Sequence, residues 1–315
     1  VSSRRIILSL DGTWNSDPPL PGVQPTNGLQ IARRIAGVAA GIEQIVIYLP
    51  GVGAGWTHLA GYAGWGIGRI IRDAYRRLAE WWRPGDEIFV FGVSRGVYAA
   101  ISLARWIDAA GLPEPPLSDN ALARSFAAYR DADIETQRAL PGRRPAPIRF
   151  LGAFDAVDAL GLPLPWLRGV TRPHVGFHSA RLPPNIEVAR HALALDEVRG
   201  AFEPTLWIPP LHPGQSVEQV WFHGSHPDVC GGFGKRAISD YTLLWMMAEA
   251  EKAGLVFDPA LRDAGLDPRP DAPPSRPFGG LHRLVPQRPR RPGQVWPETE
   301  RLDESAAIER LTLAQ

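Results

Sequence analysis

The chain has one cysteine, Cys230, and its only lysines are Lys235 and Lys252. A single thiol excludes an intrachain disulfide and makes a cysteine-ligated zinc site a poor expectation. Nowhere does a helix-compatible apolar run of about 18 residues pass without charge, so no membrane-spanning helix is expected. The N-terminus, Val1-Ser-Ser-Arg-Arg, enters a strand-like run directly and lacks the apolar h-region of a signal peptide. These features predict a protein that is cytoplasmic as synthesised. The missing initiator Met leaves upstream trimming open, and export without a cleaved signal is compatible with the same features. A formal net charge of +1 gives no reason to expect nucleic acid or an anionic membrane as partner, although the excess of Arg over Lys allows local basic patches.

With 315 residues, 44% of them hydrophobic and 21% charged, the chain can bury a sizeable core as one large α/β domain or two smaller ones. Its organising stretch is Asp86 to Trp106. Ile88, Phe89, Val90 and Phe91 form a short apolar β-prone run, and helix formers follow Gly96 with no proline until residue 113. Gly92-Val-Ser94-Arg-Gly96 sits at the turn and fits G-x-S-x-G, the nucleophile elbow, in which glycines let strand and helix approach so that the serine stands above the sheet edge. A serine that merely caps the helix is the plain alternative. The flanking strand and helix favour the nucleophile.

Arg5 to Leu10 reads as a buried strand ending in the polar turn Asp11-Gly-Thr-Trp-Asn15. Asn27 is expected to cap a helix through Ile31, Ile35 and Val38, and Glu43 to Leu49 to resume as a strand. Ile67 to Trp82 has the apolar stripe of a helix, ended by Pro84-Gly85. Strands alternating with helices argue for a mostly parallel sheet covered on both faces, with chemistry beyond the strands' carboxyl ends. Residues 111–147 read as an inserted cap around a helix from Asp119 to Tyr129, and residues 161–184, with Trp166 and Phe177, as loop or lid. Arg149 to Phe154 is the next strand. A helix is expected from Pro184 or Asn185 through Ile186, Ala189, Leu193 and Leu195, then a short strand from Phe202 to Ile208. Val217 to Phe222 is the last strand candidate, and Asp240 to Ala253 a closing helix. The expected division is a catalytic domain over residues 1–257 and a Pro/Arg-rich extension over residues 258–315 that wraps it.

A serine nucleophile needs a base within hydrogen-bond reach and an acid that fixes the base's tautomer. In α/β-hydrolases these follow in the order Ser, Asp or Glu, His, each after a sheet strand. Ser94, Asp155 and His226 satisfy that order. Asp158 competes with Asp155, and His223 with His226. Asp228 lies too close to His226 in sequence to be the easy choice for orienting it. His191, placed mid-helix, is expected to pack or support. The oxyanion donors are expected to be the Arg95 amide and the amide of Gly12 or Thr13. Asp11 reads chiefly as a carboxylate bonding its own turn. Two rivals are weighed. A metal held by Asp11, Asp155, Asp228 and nearby histidines lacks any H-E-x-x-H or paired-carboxylate spacing, so no metal is expected. Gly51 to Gly55 follows a strand as G-x-G-x-G, short of either phosphate-binding fingerprint, and reads better as a loop at the site's mouth. Trp56, Trp65 and Trp166 suggest an apolar acyl pocket, or ordinary core and lid packing.

The ordered set Leu10-Asp-Gly-Thr-Trp-Asn15, Gly92 to Gly96, Leu151-Gly-Ala-Phe-Asp155-Ala-Val, His191 to Glu197, Trp221-Phe-His-Gly-Ser-His226-Pro-Asp-Val and Ile238-Ser-Asp240 resembles the α/β-hydrolase-like catalytic domain of type VI secretion phospholipase effectors. The resemblance spans most of the chain to about residue 255. It implies hydrolysis of ester bonds, often phospholipid acyl chains, by Ser94, Asp155 and His226 without a cofactor, and it implies transient membrane contact and an immunity or secretion partner. Cys230, Ala156 and Asp158 stand where the family usually has glycine, threonine and glycine, and these departures bear on substrate preference. The expectation is therefore a serine esterase or lipase on an α/β-hydrolase-like fold. A non-catalytic module binding an acylated ligand, and a phosphate- or nucleotide-binding protein using the Gly51 loop, are the alternatives.

Overall fold

The computed structural model describes residues 3–12, 15, 17–19, 23–51, 66–131, 143–157, 180–209, 211–233, 236–275, 287–293 and 295–306. Thr13, Asp158, the Gly51 loop beyond its first residue, Trp56, Trp65, Trp166 and Phe177 lie outside the described residues. The elements in chain order are β1 (Arg5–Leu10), α1 (Asn27–Arg34), β2 (Val38–Ala39), β3 (Ile42–Leu49), α2 (Ile67–Trp81), β4 (Glu87–Val93), α3 (Arg95–Ala110), α4 (Asp119–Arg130), β5 (Ile148–Phe154), β6 (Ile186–Ala194), β7 (Ser216–Phe222), α5 (His226–Cys230), α6 (Ala237–Lys252) and β8 (Glu300–Leu302).

They build an eight-stranded sheet in the order β2-β3-β1-β4-β5-β6-β7-β8. Every pairing is parallel except that of β2 with β3. From β1 the chain moves one way to β3 and then crosses β1 to place β4 on its other side. The sheet therefore reverses direction at β1 and β4, which puts a crevice between the carboxyl ends of those two strands.

A parallel sheet covered on both faces buries nearly every strand residue, and alternate side chains define two apolar layers. Ile6, Leu8, Leu10, Ile88, Val90, Leu151 and Ala153 face α2 and α3. Ile7, Phe89, Phe91, Val93, Phe150 and Phe154 face α1 and α6. On the first side Tyr75 stacks on Trp106 with ring centroids 3.7 Å apart, and the Trp106 indole N–H donates to Ser125 Oγ at 2.9 Å, which fixes α4 against α3. No helix among the described residues is long and apolar enough to cross a membrane.

Several expectations are corrected. Residues 186–194 form strand β6, not a helix, and His191 therefore sits in a strand. Paired on both sides, by β5 and β7, β6 is buried on both faces and shows no polar–apolar alternation. Its Ala and Leu content then mimics a helix. Phe202 to Ile208 is not a strand: Gly200–Phe202 is a short 3₁₀ turn. The backbone of Trp207 is satisfied by one side chain, with its N–H donating to Gln219 Oε1 at 2.8 Å and its C=O accepting from Gln219 Nε2 at 3.2 Å. Thr26, not Asn27, caps α1, its Oγ1 accepting the Leu29 N–H. Asn27 instead donates to Val229 O, Ser239 O and Thr242 Oγ1, tying α1 to α5 and α6. β7 is not the last strand, because the C-terminal extension supplies β8 beside it.

Phe150 is fully buried between Phe89 and Phe91, with centroids 6.3 and 5.6 Å away. Phe150→Ala is expected to cost about 3–5 kcal/mol of folding free energy, read as a lowered urea midpoint at unchanged m-value.

Candidate active site

Ser94 stands between β4 and α3 with φ 54° and ψ −119°, backbone that a non-glycine residue adopts only when its surroundings hold it there. The surroundings are visible at the flanking glycines. A Cβ on Gly92 would meet Val97 Cα at 2.6 Å, and one on Gly96 would meet Leu10 O at 2.1 Å. The Ser94 N–H donates to Phe154 O at 2.8 Å, anchoring the turn to β5. Its side chain makes no capping hydrogen bond to α3, which removes helix capping as its reason for being there. The Arg95 amide belongs to the first turn of α3, where N–H groups point beyond the helix end.

Asp155 follows β5 with φ 43°. Its N–H donates to Ala192 O at 2.7 Å, and the next amide, Ala156 N–H, donates to His191 Nε2 at 3.0 Å. His191 is wholly buried, and burial depresses its pKa to about 4, so the ring is neutral and can accept that bond. It supports the Asp155 loop from below.

The Asp155 carboxylate is itself fully buried and takes four donors. Oδ2 pairs with His226 Nδ1 at 2.6 Å and Arg290 Nη2 at 3.0 Å; Oδ1 accepts from Arg290 Nη1 at 2.5 Å and Ala194 N–H at 3.0 Å. Burial alone would push this carboxyl up, but the Arg290 charge and the His226 hydrogen bond outweigh it and hold the group well below the usual carboxylate range. An ionised Asp155 only accepts, so His226 Nδ1 carries the proton and Nε2 is left as the basic nitrogen.

His226 is the first residue of the short helix α5. Ser225 and Asp228 form a capping box there, with Asp228 Oδ2 accepting from the Ser225 N–H and hydroxyl at 2.9 and 2.7 Å. Asp228 also accepts from Ser275 and does not orient His226. The His226 N–H donates to Glu197 Oε2 at 3.2 Å, and the Phe202 ring lies 4.9 Å from the imidazole. Phe202 is covered in turn by the Arg199 guanidinium at 3.8 Å, which is paired with the buried Glu197. Cys230 Sγ lies 3.8 Å from both His226 ring nitrogens, and its thiol donates weakly to Phe154 O at 3.4 Å. Burial and the nearby Asp155 charge raise its pKa, so it stays a neutral thiol. Phe154 O thus accepts from both the Cys230 thiol and the Ser94 N–H, so serine turn and imidazole share a common neighbourhood.

The loop after β1 reaches the site too, since a Cβ on Gly12 would stand 3.5 Å from Ser94 Cβ. The Gly12 N–H, one of the two amides expected to receive an oxyanion, turns back onto Asp11 Oδ1 at 2.6 Å. Asp11 Oδ2 accepts from the Thr26 and Tyr48 hydroxyls, each at 2.6 Å. Burial raises the Asp11 pKa to about 6 in spite of these bonds, which tie the loop after β1 to α1 and β3. Asp11, Asp155 and Asp228 each satisfy separate partners, and no group of three or more His, Cys, Asp or Glu suited to a metal occurs among the described residues. His223 is not beside Asp155: its Nδ1 is 2.9 Å from Asp196 Oδ2 and its Nε2 meets Ala272 O.

A small cavity of about 30 Å³, lined by Val97, Tyr98, Ile101, Ala156, Val157, Ala180 and Thr205, opens beside the first turns of α3 and the residues after Asp155. A larger one of about 470 Å³ includes Trp82, Asp86, Arg143 and Glu187 and lies at the amino ends of the strands, away from Ser94. Arg290, Arg199, Phe202 and Tyr48 had no expected role. In the sequence Glu197 stands out only as the end of the His191 to Glu197 motif.

The profile of the family described as type VI secretion system (T6SS), phospholipase effector Tle1-like, catalytic domain, matches residues 4–249. An uncharacterized protein of Saccharomyces cerevisiae, YEL023C, is 26% identical over 249 residues, which are 66% of this chain and 33% of that protein, so the chain spans about a third of this relative's length. A crystal structure of an uncharacterized protein from Pseudomonas aeruginosa shares the fold, with a TM-score of 0.52 at 19% identity over 82% of this chain and 47% of that one. The Tle1 effector bound to the VgrG spike from the type 6 secretion system is 18% identical, with a TM-score of 0.46 over 74% of this chain and 51% of that one.

Two outcomes follow from this geometry. Gly96→Ala is expected to lower the melting temperature sharply, because the added methyl overlaps the Leu10 carbonyl. Asp11 titrates near 6 when folded and near its ordinary value of about 3.9 when unfolded, so the folded chain binds the extra proton between those values. Its contribution to stability therefore falls as pH rises through that window. Denaturation midpoints measured from pH 4 to 7 should decline less in Asp11→Asn than in the wild-type chain.

Proposed function

The chain belongs to the family of Tle1-like phospholipase effector catalytic domains of the type VI secretion system, and from that membership we propose that it hydrolyses carboxylic esters of lipids or phospholipids through an acyl-enzyme on Ser94. The observation that carries this reading is the pairing of a left-handed, uncapped Ser94 at a strand-to-helix turn with a His226–Asp155 hydrogen bond of 2.6 Å above the neighbouring strand ends.

In the proposed reaction Ser94 Oγ attacks the acyl carbonyl while His226 Nε2 takes the hydroxyl proton. Asp155 holds Nδ1–H and stabilises the imidazolium that forms. The carbonyl oxygen, now negative, is received by the Arg95 amide at the start of α3 and by a second amide of the loop after β1, for which Thr13 stands once Gly12 is committed to Asp11. The imidazolium returns its proton to the departing alkoxide, freeing the alcohol. Water, deprotonated by the same imidazole, then attacks the acyl-enzyme and releases the carboxylic acid and the serine. The apolar cavity along Val97, Tyr98, Ile101 and Val157 suits the first carbons of an acyl chain. Delivery by a secretion apparatus, and a loading or immunity partner, rest on family membership alone.

Ser94→Ala should fold normally and lose at least about 1,000-fold in kcat on a p-nitrophenyl ester, together with labelling by a fluorophosphonate probe. Near-wild-type turnover by the folded variant would sink the proposal, and binding of an acyl ligand without turnover by the wild-type chain would replace it with a non-catalytic role. Comparing short esters, long esters and phospholipid vesicles as substrates then reads the acyl and head-group preference.

A further inference from the structure

The Pro/Arg-rich extension was expected only to wrap the surface, yet one of its side chains enters the site. Residues 287–293 cross the carboxyl end of β6. The Arg288 N–H donates to Val198 O at 2.7 Å, and Gln287 bridges Arg199. Downstream, β8 adds to the sheet beside β7, and the Gly293 and Trp296 N–H groups both donate to Glu300, each at 2.8 Å. Between these anchors Arg290 turns inward with a side chain 3% exposed. Its guanidinium grips both oxygens of Asp155 and also donates to Ala194 O at 2.7 Å and Phe202 O at 2.5 Å. The span matched by the family profile ends at residue 249, well before this segment.

We propose that Arg290 is a positioning residue of the hydrolytic reaction: supplied by the C-terminal segment of the same chain, its fork keeps Asp155 ionised and turned toward His226. The proposal rests on the Ser94, His226 and Asp155 reading above. The physical need for it is specific. A carboxylate with no solvent contact and only neutral donors takes up a proton more readily than one facing a cation. A protonated Asp155 would offer His226 a donor, favouring the tautomer with the proton on Nε2, and that nitrogen could no longer accept the Ser94 proton. Arg can meet both oxygens at once, whereas Lys offers only a point charge. The groups around Asp155 from each neighbouring element are His226 and Cys230 on α5, His191 on β6, the Glu197–Arg199 pair after it, Ser94 before α3, and Arg290. Among these, Arg290 is the cation that touches the carboxylate itself.

The test uses the full chain with a p-nitrophenyl ester, comparing wild type, Arg290→Ala and Arg290→Lys after circular dichroism and melting have confirmed folding. For Arg290→Ala, kcat is expected to fall roughly 10- to 100-fold near neutral pH with KM little changed. The acid limb of the pH profile moves to higher pH, because Asp155 now protonates sooner, so the deficit narrows as the medium becomes alkaline. Added methylguanidinium should restore part of the rate. A folded Arg290→Ala chain with the wild-type rate and profile overturns the inference, as does a loss that is the same at every pH and untouched by methylguanidinium. If Arg290→Ala does not fold, Arg290→Lys decides: a kcat lowered more at acid than at alkaline pH supports the role, and a wild-type kcat or a loss equal at every pH overturns it. Wild-type chain that neither hydrolyses esters nor reacts with a fluorophosphonate probe takes down the parent reading with it, an outcome distinct from failure of the Arg290 variants alone.

Discussion

The negative charge on Asp155, buried away from the surface, is the constraint around which the site is built. Each of its contacts comes from a different part of the chain: the imidazole from α5, the Ala194 amide from the end of β6, the guanidinium from the C-terminal segment. Remove the compensation and burial alone would favour the neutral acid. The tautomer of His226, and hence which of its nitrogens is free to act as a base, follows from that ionisation. Sheet order matters because it delivers these groups to one place.

A repeated backbone stitch fixes that delivery. The residue just past each strand donates its N–H to the carboxyl end of the neighbouring strand: Asp11 to Leu49 O at 3.0 Å, Ser94 to Phe154 O at 2.8 Å, Asp155 to Ala192 O at 2.7 Å and Leu195 to Phe222 O at 2.9 Å. Two of the four, Ser94 and Asp155, hold positive φ. Left-handed backbone costs on the order of 1–3 kcal/mol at a non-glycine residue and persists only where the surroundings over-determine it. Here the stitch and the close approach at Gly96 supply that determination.

The elbow was legible because three local signals coincide in it: an apolar run, two glycines at fixed spacing and a proline-free helical stretch. The pairing of Asp155 with His226 was legible from their order after strands. The β6 segment was misread because a strand buried on both faces has no period to detect, and its Ala189, Ala192 and Leu193 satisfy a helical stripe equally well. Arg290 left no trace at all. It is one arginine in a Pro/Arg-rich stretch, and nothing local distinguishes a guanidinium bound for a buried carboxylate from one bound for solvent. That Glu197, Arg199 and Phe202 act together was invisible for a related reason: the ring stack behind His226 exists only once the loop after β6 folds against α5.

The molecule contains its own comparison for what a cation does to a buried carboxyl. Asp11 and Asp155 are 3% and 0% exposed, and each is well supplied with donors. Asp11 receives one amide and two hydroxyls, all neutral, and its pKa still rises to about 6. Asp155 receives an amide, an imidazole and a guanidinium, and is driven the other way. Hydrogen-bond number does not separate the two cases, since both are satisfied; formal charge does, because a neutral dipole stabilises an anion less than it loses on leaving water. The stability contributions accordingly have opposite signs. That of Asp11 fades as pH rises through its window, and that of Asp155 is present above the ordinary carboxylate range and fades only as pH falls below it. The carboxyl that shapes a loop can tolerate a shared or absent proton; the one that must keep accepting from an imidazole is the one given a guanidinium.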